Sequence, residues 1–152
     1  MTALSTVVVG QLGTGGQLLL WALRQRLADR GETTPKLVQG FLLACGLSGV
    51  EQALQCFERL FDCLERHARC EVGFCPLRCA CLSRDEATCL ALLAAAQAGD
   101  IVRSERLACA LVGAERAAAL CEAARALADV LGRAGHVFSL PPSAAVREAV
   151  LH

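Results

Sequence analysis

The sequence predicts an all-α protein, folded as a single compact bundle of about five to seven helices. Hydrophobic residues make up 55% of the 152 residues, whereas aromatic residues make up only 4% and Tyr is absent. An apolar fraction dominated by Ala and Leu favours closely packed helices, because sheets concentrate β-branched and aromatic residues. A chain of this length fits one domain and can bury a core without help from disulfide bonds.

The first predicted helix covers residues 17–29 and ends at Gly31. Its leucines recur at helical spacing and are expected to face the core, whereas Arg24 and Gln25 are expected to face water. These leucines are Leu20, Leu23 and Leu27.

Two further helices are predicted on either side of Gly46, which acts as the stop signal between them. The earlier one starts at Thr34-Pro35, an N-cap followed by a first helical residue. The later one starts at the capping box Ser48–Glu51 and runs to about Arg69. Its apolar residues are spaced alternately by four and three positions, which indicates lengthwise packing against a neighbour. They are Val50, Leu54, Phe57, Phe61, Leu64 and Ala68.

The second half of the chain begins with another capping box, Ser83–Glu86, which predicts a helix ending at Gly99. This helix is apolar on all sides, so we expect it at the centre of the bundle. Asp100 is the expected N-cap of the next helix, and a last long helix is expected over about 114–131. The residues expected to face inward in this last helix are Ala117, Leu120, Ala124, Leu127 and Leu131.

The domain organisation predicted from these elements has three parts. Residues 1–16 are expected to form a flexible N-terminal segment, residues 17–140 the helical bundle, and residues 141–152 a tail or short helix after Pro141-Pro142. Glycines precede the first helix, as they do in phosphate-binding loops, but the Lys and Ser/Thr of such loops are missing. A mobile end is therefore the preferred interpretation of this segment.

A cysteine-rich connection between two central helices is the most distinctive feature of the sequence. The candidate site residues share thiol or imidazole chemistry and lie within or just before residues 67–89: Cys63, His67, Cys70, Cys75, Cys79 and Cys81. The first three stand at i, i+4 and i+7, on one face of a helix. Thiolates and imidazoles are the ligands of structural Zn²⁺, so zinc is the cofactor that this cluster would take.

Two alternatives to a metal site remain open for these cysteines. They can fill small gaps in apolar packing, as Cys45, Cys109 and Cys121 are expected to do. Packing is also the favoured interpretation for Cys56 and Cys89, although less firmly. They can also form a redox pair or a nucleophile, for which an electropositive setting has to lower a thiol pKa. The groups expected to supply that setting are the N-terminus of the helix that begins near Arg84 and the side chains of Arg66, His67, Arg69 and Arg78.

Charge and hydropathy narrow the function classes. Fifteen basic and fifteen acidic residues give a net charge of zero, and no basic stripe indicates nucleic-acid binding. The apolar runs are shorter than the roughly 18 residues of a membrane span, and the N-terminus lacks the pattern of a secretory signal. We therefore expect a cytoplasmic protein that binds neither nucleic acid nor membrane.

The leading functional expectation is a small binding or protein-interaction module that self-associates. The all-apolar helix in a domain this small needs cover on every side, and a second subunit is one source of cover. The alternative expectation is a zinc-binding or thiol-redox protein that uses the Cys63–Cys81 cluster. No residue pattern indicates a substrate, so an enzyme is not favoured.

Overall fold

Five α-helices make up most of the chain in a computed structural model that describes residues 4–8, 12–29, 32–67, 75–77 and 79–139. The predicted all-α class and the predicted number of helices are confirmed. In chain order the helices are α1 (Thr14–Ala28), α2 (Pro35–His67), α3 (Arg84–Ala98), α4 (Ile101–Val112) and α5 (Ala117–Arg133).

α2 contains the two helices predicted on either side of Gly46, joined there by a kink. Gly46 adopts φ 77° and ψ 174°, a conformation that is not helical and that favours glycine. The predicted stop at Gly46 is therefore confirmed as a break in the helical backbone, after which the second helical segment runs to His67.

A two-stranded antiparallel ribbon, which the sequence did not predict, joins the N-terminal segment to the cysteine-rich connection. Strand β1 (Leu4–Val8) pairs with strand β2 (Cys81–Ser83), with Leu4 opposite Ser83 and Val8 opposite Cys81. Within predicted segment 1–16 the structure thus describes a strand and the first turn of α1. Its flexibility stays a prediction, and predicted segment 141–152 lies outside the described residues.

α3 lies at the centre of the bundle, as its apolar sequence predicts. Residues Leu90–Leu93 are at most 2% exposed, and the helix packs against both α4 and α5. α5 in turn packs along α2, and all five of its predicted inward residues are buried. The lengthwise neighbour predicted for the second half of α2 is therefore α5.

Three of the predicted helix ends have the expected geometry. The side chain of Ser83 accepts a hydrogen bond from the backbone N–H of Glu86, and the Glu86 side chain returns to the N–H of Ser83. Asp100 caps α4 through the N–H of Arg103, and Gly99 ends α3 with φ 78°. These signals are local in sequence, which is why they could be identified without the fold.

The predicted orientation of α1 is confirmed for Leu20 and Leu23, which are at most 1% exposed, and is wrong for Leu27 and for the two polar residues Arg24 and Gln25. Arg24 and Gln25 are only 4% and 5% exposed, whereas Leu27 is 44% exposed. Arg24 lies inside the protein because it has a buried acidic partner on α3, Glu86.

Glycines allow α1 to approach its neighbours closely. A Cβ atom at Gly40 of α2 would lie 2.4 Å from the Trp21 ring, and one at Gly15 would lie 2.9 Å from the carbonyl oxygen of Val137. The Gly-rich start of α1 thus makes room for the chain that follows α5. This packing role is an alternative to the two interpretations drawn from the sequence, a phosphate-binding loop and a mobile end.

Candidate functional site

A buried ion pair between Arg24 of α1 and Glu86 of α3 organises the cysteine-rich connection. Arg24 Nε donates to Glu86 Oε2 at 2.7 Å, and Arg24 Nη2 donates to Glu86 Oε1 at 2.9 Å. The two side chains are 2% and 0% exposed. This is the bidentate arrangement that makes arginine–carboxylate pairs strong and geometrically specific.

The Glu86 carboxylate accepts two further hydrogen bonds from the backbone. The N–H of Ser83 donates to Oε1 at 2.8 Å, and the N–H of Cys75 donates to Oε2 at 3.1 Å. Each oxygen thus accepts two bonds, which fills the ordinary capacity of a carboxylate. Glu86 therefore has a structural role: it anchors the backbone at Cys75 and completes the predicted capping box with Ser83.

Arg24 uses its remaining donors to hold the other end of the connection. Nη1 donates to the carbonyl oxygen of Cys79 at 2.8 Å, and Nη2 donates to that of Cys81 at 2.9 Å. Burial alone would lower the pKa of Arg24, but the hydrogen bonds and charge of Glu86 outweigh burial and raise it. The ion pair therefore fixes the backbone at three cysteines.

The Cys75 thiol lies in a setting that disfavours its thiolate. Burial, then the negative charge of Glu86 and contact with Cys79, raise the pKa of Cys75 to about 11. Glu86, in the first turn of α3, thus places a negative charge beside this thiol. A strongly activated Cys75 nucleophile is not consistent with this geometry.

The structure brings some of the predicted site residues together. Cys75, Cys79 and Cys81 lie half-buried around the ion pair, and Cys63 lies half-buried on α2, packed against the core. His67 is the last residue of α2, but its side chain lies outside the described residues, as does the whole of Cys70.

Among the side chains that the structure describes, no group of three or more His, Cys, Asp or Glu residues is arranged to hold a metal ion. The zinc prediction involves His67 and Cys70, which fall outside that set, so it stays a prediction. Zinc content measured for the protein and for Cys63→Ser and Cys75→Ser variants would test it.

The remaining cysteines have the packing positions expected of them. Cys89 and Cys121 are buried, and Cys45, Cys56 and Cys109 are half-buried against the core. Burial, with a smaller effect of Asp85 and Glu86, raises the pKa of the Cys89 thiol. All nine cysteines described by the structure are free thiols.

A second feature with functional potential is an exposed apolar surface at the kink of α2. Leu43 and Leu47 are 82% and 87% exposed, and Val38 is 37% exposed. From Leu37 to Val50 the sequence contains no charged residue. We refer to residues 37–50 as the α2 elbow.

α2 also has the length and composition of a membrane-spanning helix. The segment Pro35–Glu65 contains an 18-residue window with mean hydropathy 1.3, and 17% of that window is buried in the fold. Core helices of soluble proteins have the same properties, so the observation alone is weak evidence. The expectation that the protein binds no membrane stays a prediction.

His136 links the elbow to the rest of the bundle. Its Nε2 lies 2.8 Å from the carbonyl oxygen of Ala44, and its Nδ1 lies 3.3 Å from Thr14 Oγ1. Gln97 holds the adjacent chain by donating to the carbonyl oxygen of His136 and accepting from the N–H of Phe138. The kink of α2 is therefore fixed from inside the protein.

The sequence analysis missed Arg24 as the centre of the thiol site. One signal was present, because Arg24 stands four residues after Leu20 and so shares the core-facing stripe of α1. Its partner is 62 positions away, and nothing local in the sequence identifies it.

No protein-family model, curated protein or solved structure matches this chain. The assignment of a function therefore depends on the two features described above, the thiol site and the α2 elbow.

Proposed function

We propose that the protein is an interaction module that self-associates, with the α2 elbow of one copy packed against the α2 elbow of another. The observation that carries this proposal is the exposure of Leu43 and Leu47, at 82% and 87%. Exposed leucines are common singly, but neighbouring ones on an uncharged helix segment are typical of interaction surfaces.

The absence of charge in the elbow favours a second copy of the chain as the partner. In a twofold interface the same patch meets itself, so any charge on it would face a like charge near the axis. The sequence from Leu37 to Val50 contains no charge that could cause such repulsion. A net charge of zero further reduces the long-range repulsion between copies.

The shape of the elbow also suits close approach. Gly46 forms the kink at the centre of the patch and is itself exposed, and Gly49, three residues later, is half-buried. Small residues allow two helix backbones to approach closely, so that leucines on either side can interdigitate.

The helix that supports self-association in the structure differs from the one that suggested it in the sequence. The all-apolar helix α3 was expected to need cover from a second subunit, but α4 and α5 cover it within one chain. Among the described residues, the most exposed leucines are on α2 instead.

The size of the elbow indicates a reversible association. A stable interface buries about 800 Å² on each partner, and three apolar side chains supply only part of that area. We therefore expect monomer and dimer to exchange as the concentration changes.

Sedimentation velocity over a range of concentrations tests the proposal. The wild-type protein should shift from monomer towards dimer as concentration rises, and Leu47→Glu should weaken the association at least about tenfold, which corresponds to about 1.4 kcal/mol. The substitution leaves the core intact because Leu47 is 87% exposed, and circular dichroism should show unchanged helix content.

Val102→Glu is the matched control, because Val102 is 68% exposed but lies on α4, outside the elbow. It should leave the association unchanged. A wild-type monomer at every concentration, or an equal effect of the two substitutions, would refute the proposal. Flotation with phospholipid vesicles tests a lipid surface as the alternative partner. A monomer that binds vesicles, and that loses this binding in Leu47→Glu, would show that the elbow contacts lipid and not a second copy.

A further inference from the structure

Cys75 and Cys79 lie at the two ends of a short turn beside the buried ion pair. The backbone N–H of Cys79 donates to the carbonyl oxygen of Pro76 at 3.0 Å, which closes the turn. An interaction between the Cys75 and Cys79 thiols contributes to the raised pKa of Cys75. Two thiols are thus held next to each other at the surface of the site.

The ion pair fixes both ends of this turn independently of the thiols. Glu86 accepts from the backbone N–H of Cys75 at 3.1 Å, and Arg24 donates to the backbone carbonyl of Cys79 at 2.8 Å. Because these two hydrogen bonds are made to backbone atoms, they do not require either thiol to keep its covalent state.

We propose that Cys75 and Cys79 form a reversible disulfide bond in exchange with a small aliphatic disulfide. In the first step the sulfur of one cysteine attacks the small disulfide, forms a mixed disulfide and releases one small thiol. In the second step the other cysteine attacks the protein sulfur of that mixed disulfide and releases the second small thiol. Two protein thiols lose two electrons and two protons in all, and the small disulfide gains them.

The geometry favours this pair over the other cysteines near it. A disulfide bond needs Cα atoms roughly 4.4–6.8 Å apart, and the turn closed between Pro76 and Cys79 brings the chain back towards Cys75. Both residues are half-buried, so a small disulfide can reach them, whereas Cys89 is only 2% exposed. Cys81 belongs to strand β2, where ladder pairing restrains it.

The disulfide bond between Cys75 and Cys79 responds to redox conditions and contributes little to the stability of the fold. It closes a loop of only a few residues, and short loops remove little entropy from the unfolded chain. This inference is independent of self-association, since the elbow of α2 and the turn at Cys75 are separate features.

The test uses the full-length reduced protein and oxidised glutathione as the probe. After incubation, quenching by alkylation and peptide mass spectrometry should show a Cys75–Cys79 bridge and unmodified thiols at the buried positions. In Cys79→Ser the second thiol is missing, so the mixed disulfide on Cys75 should accumulate about tenfold over wild type. The same should hold for Cys79 in Cys75→Ser.

Cys81→Ser is the matched control and should form the bridge as the wild type does. The proposal is overturned if the bridge joins another pair, if Cys81→Ser abolishes it, or if mixed disulfides persist on both Cys75 and Cys79 in the wild type. Because the two single-Ser variants are read out separately, misfolding of one leaves the other as a test.

Discussion

Arg24 and Glu86 are 62 positions apart in the chain and form a bidentate ion pair with distances of 2.7 and 2.9 Å. The pair connects α1 to the start of α3 and fixes the backbone of the cysteine-rich connection on both sides. A buried pair of this kind is strongly destabilised by loss of one partner, because the other charge stays buried.

Glu86→Gln should lower the free energy of unfolding by about 3–5 kcal/mol. Gln retains the shape of Glu and can still serve as the third residue of a capping box, so the change isolates the lost charge. Urea unfolding followed by circular dichroism measures the effect. Ser83→Ala, which removes the cap but keeps the pair, should cost only about 1 kcal/mol. Equal costs for the two variants would contradict the role of the pair.

Gly40→Ala should be destabilising even though Ala is the better helix former. The added Cβ would lie 2.4 Å from the Trp21 ring, and overpacking of a tight contact costs about 1–3 kcal/mol. Gly16→Ala is the matched control, because its Cβ would meet Leu12 at 3.4–3.8 Å, an ordinary contact, and about 1 kcal/mol of helix propensity favours it. Thermal unfolding of both variants should give shifts of opposite sign, and a stabilising Gly40→Ala would show that the contact is looser than described.

The ion pair between Arg26 and Glu58 should make stability depend on acid pH. Burial would raise the pKa of Glu58, but hydrogen bonds from Arg26 and Thr33 outweigh it and hold the pKa below its ordinary value of 4.5. The stabilising contribution is therefore complete above about pH 4.5 and is lost as the pH falls through the lowered value. Because Glu58 is partly exposed, we expect less than about 1 kcal/mol.

Urea unfolding of wild type and Glu58→Gln at several pH values tests this dependence. The two proteins should differ most near neutral pH and converge as the pH falls below the ordinary carboxylate range. A difference that grows with acidity would contradict the assigned direction of the pKa shift.

The parts of the fold that the sequence predicted are those that depend on nearby residues. The capping box Ser83–Glu86, the cap at Asp100 and the buried face of α5 are set by spacing over one or two helical turns. Such signals can be identified in the sequence because the unpaired N–H and C=O groups at a helix end need hydrogen-bond partners close by in the chain.

The parts that the sequence did not predict depend on distant partners. The burial of Arg24 requires Glu86, and the strand at Leu4–Val8 requires Cys81–Ser83. The exposure of the elbow could not be predicted either. An apolar pattern predicts burial, but it does not show which face of a helix the other helices cover. At the candidate site, the sequence located the cysteines but not the ion pair that positions them.

Hydrogen exchange of the wild-type protein at low and high concentration tests most directly whether the elbow is a self-association surface. Gly46 interrupts the helical backbone, so amides next to it should exchange rapidly in the monomer and slowly once a second copy covers Leu43 and Leu47. The account predicts concentration-dependent protection of residues 43–50, with no change in the first turn of α4. Exchange at residues 43–50 that is independent of concentration, or equal protection at Ile101 and Val102, would contradict it.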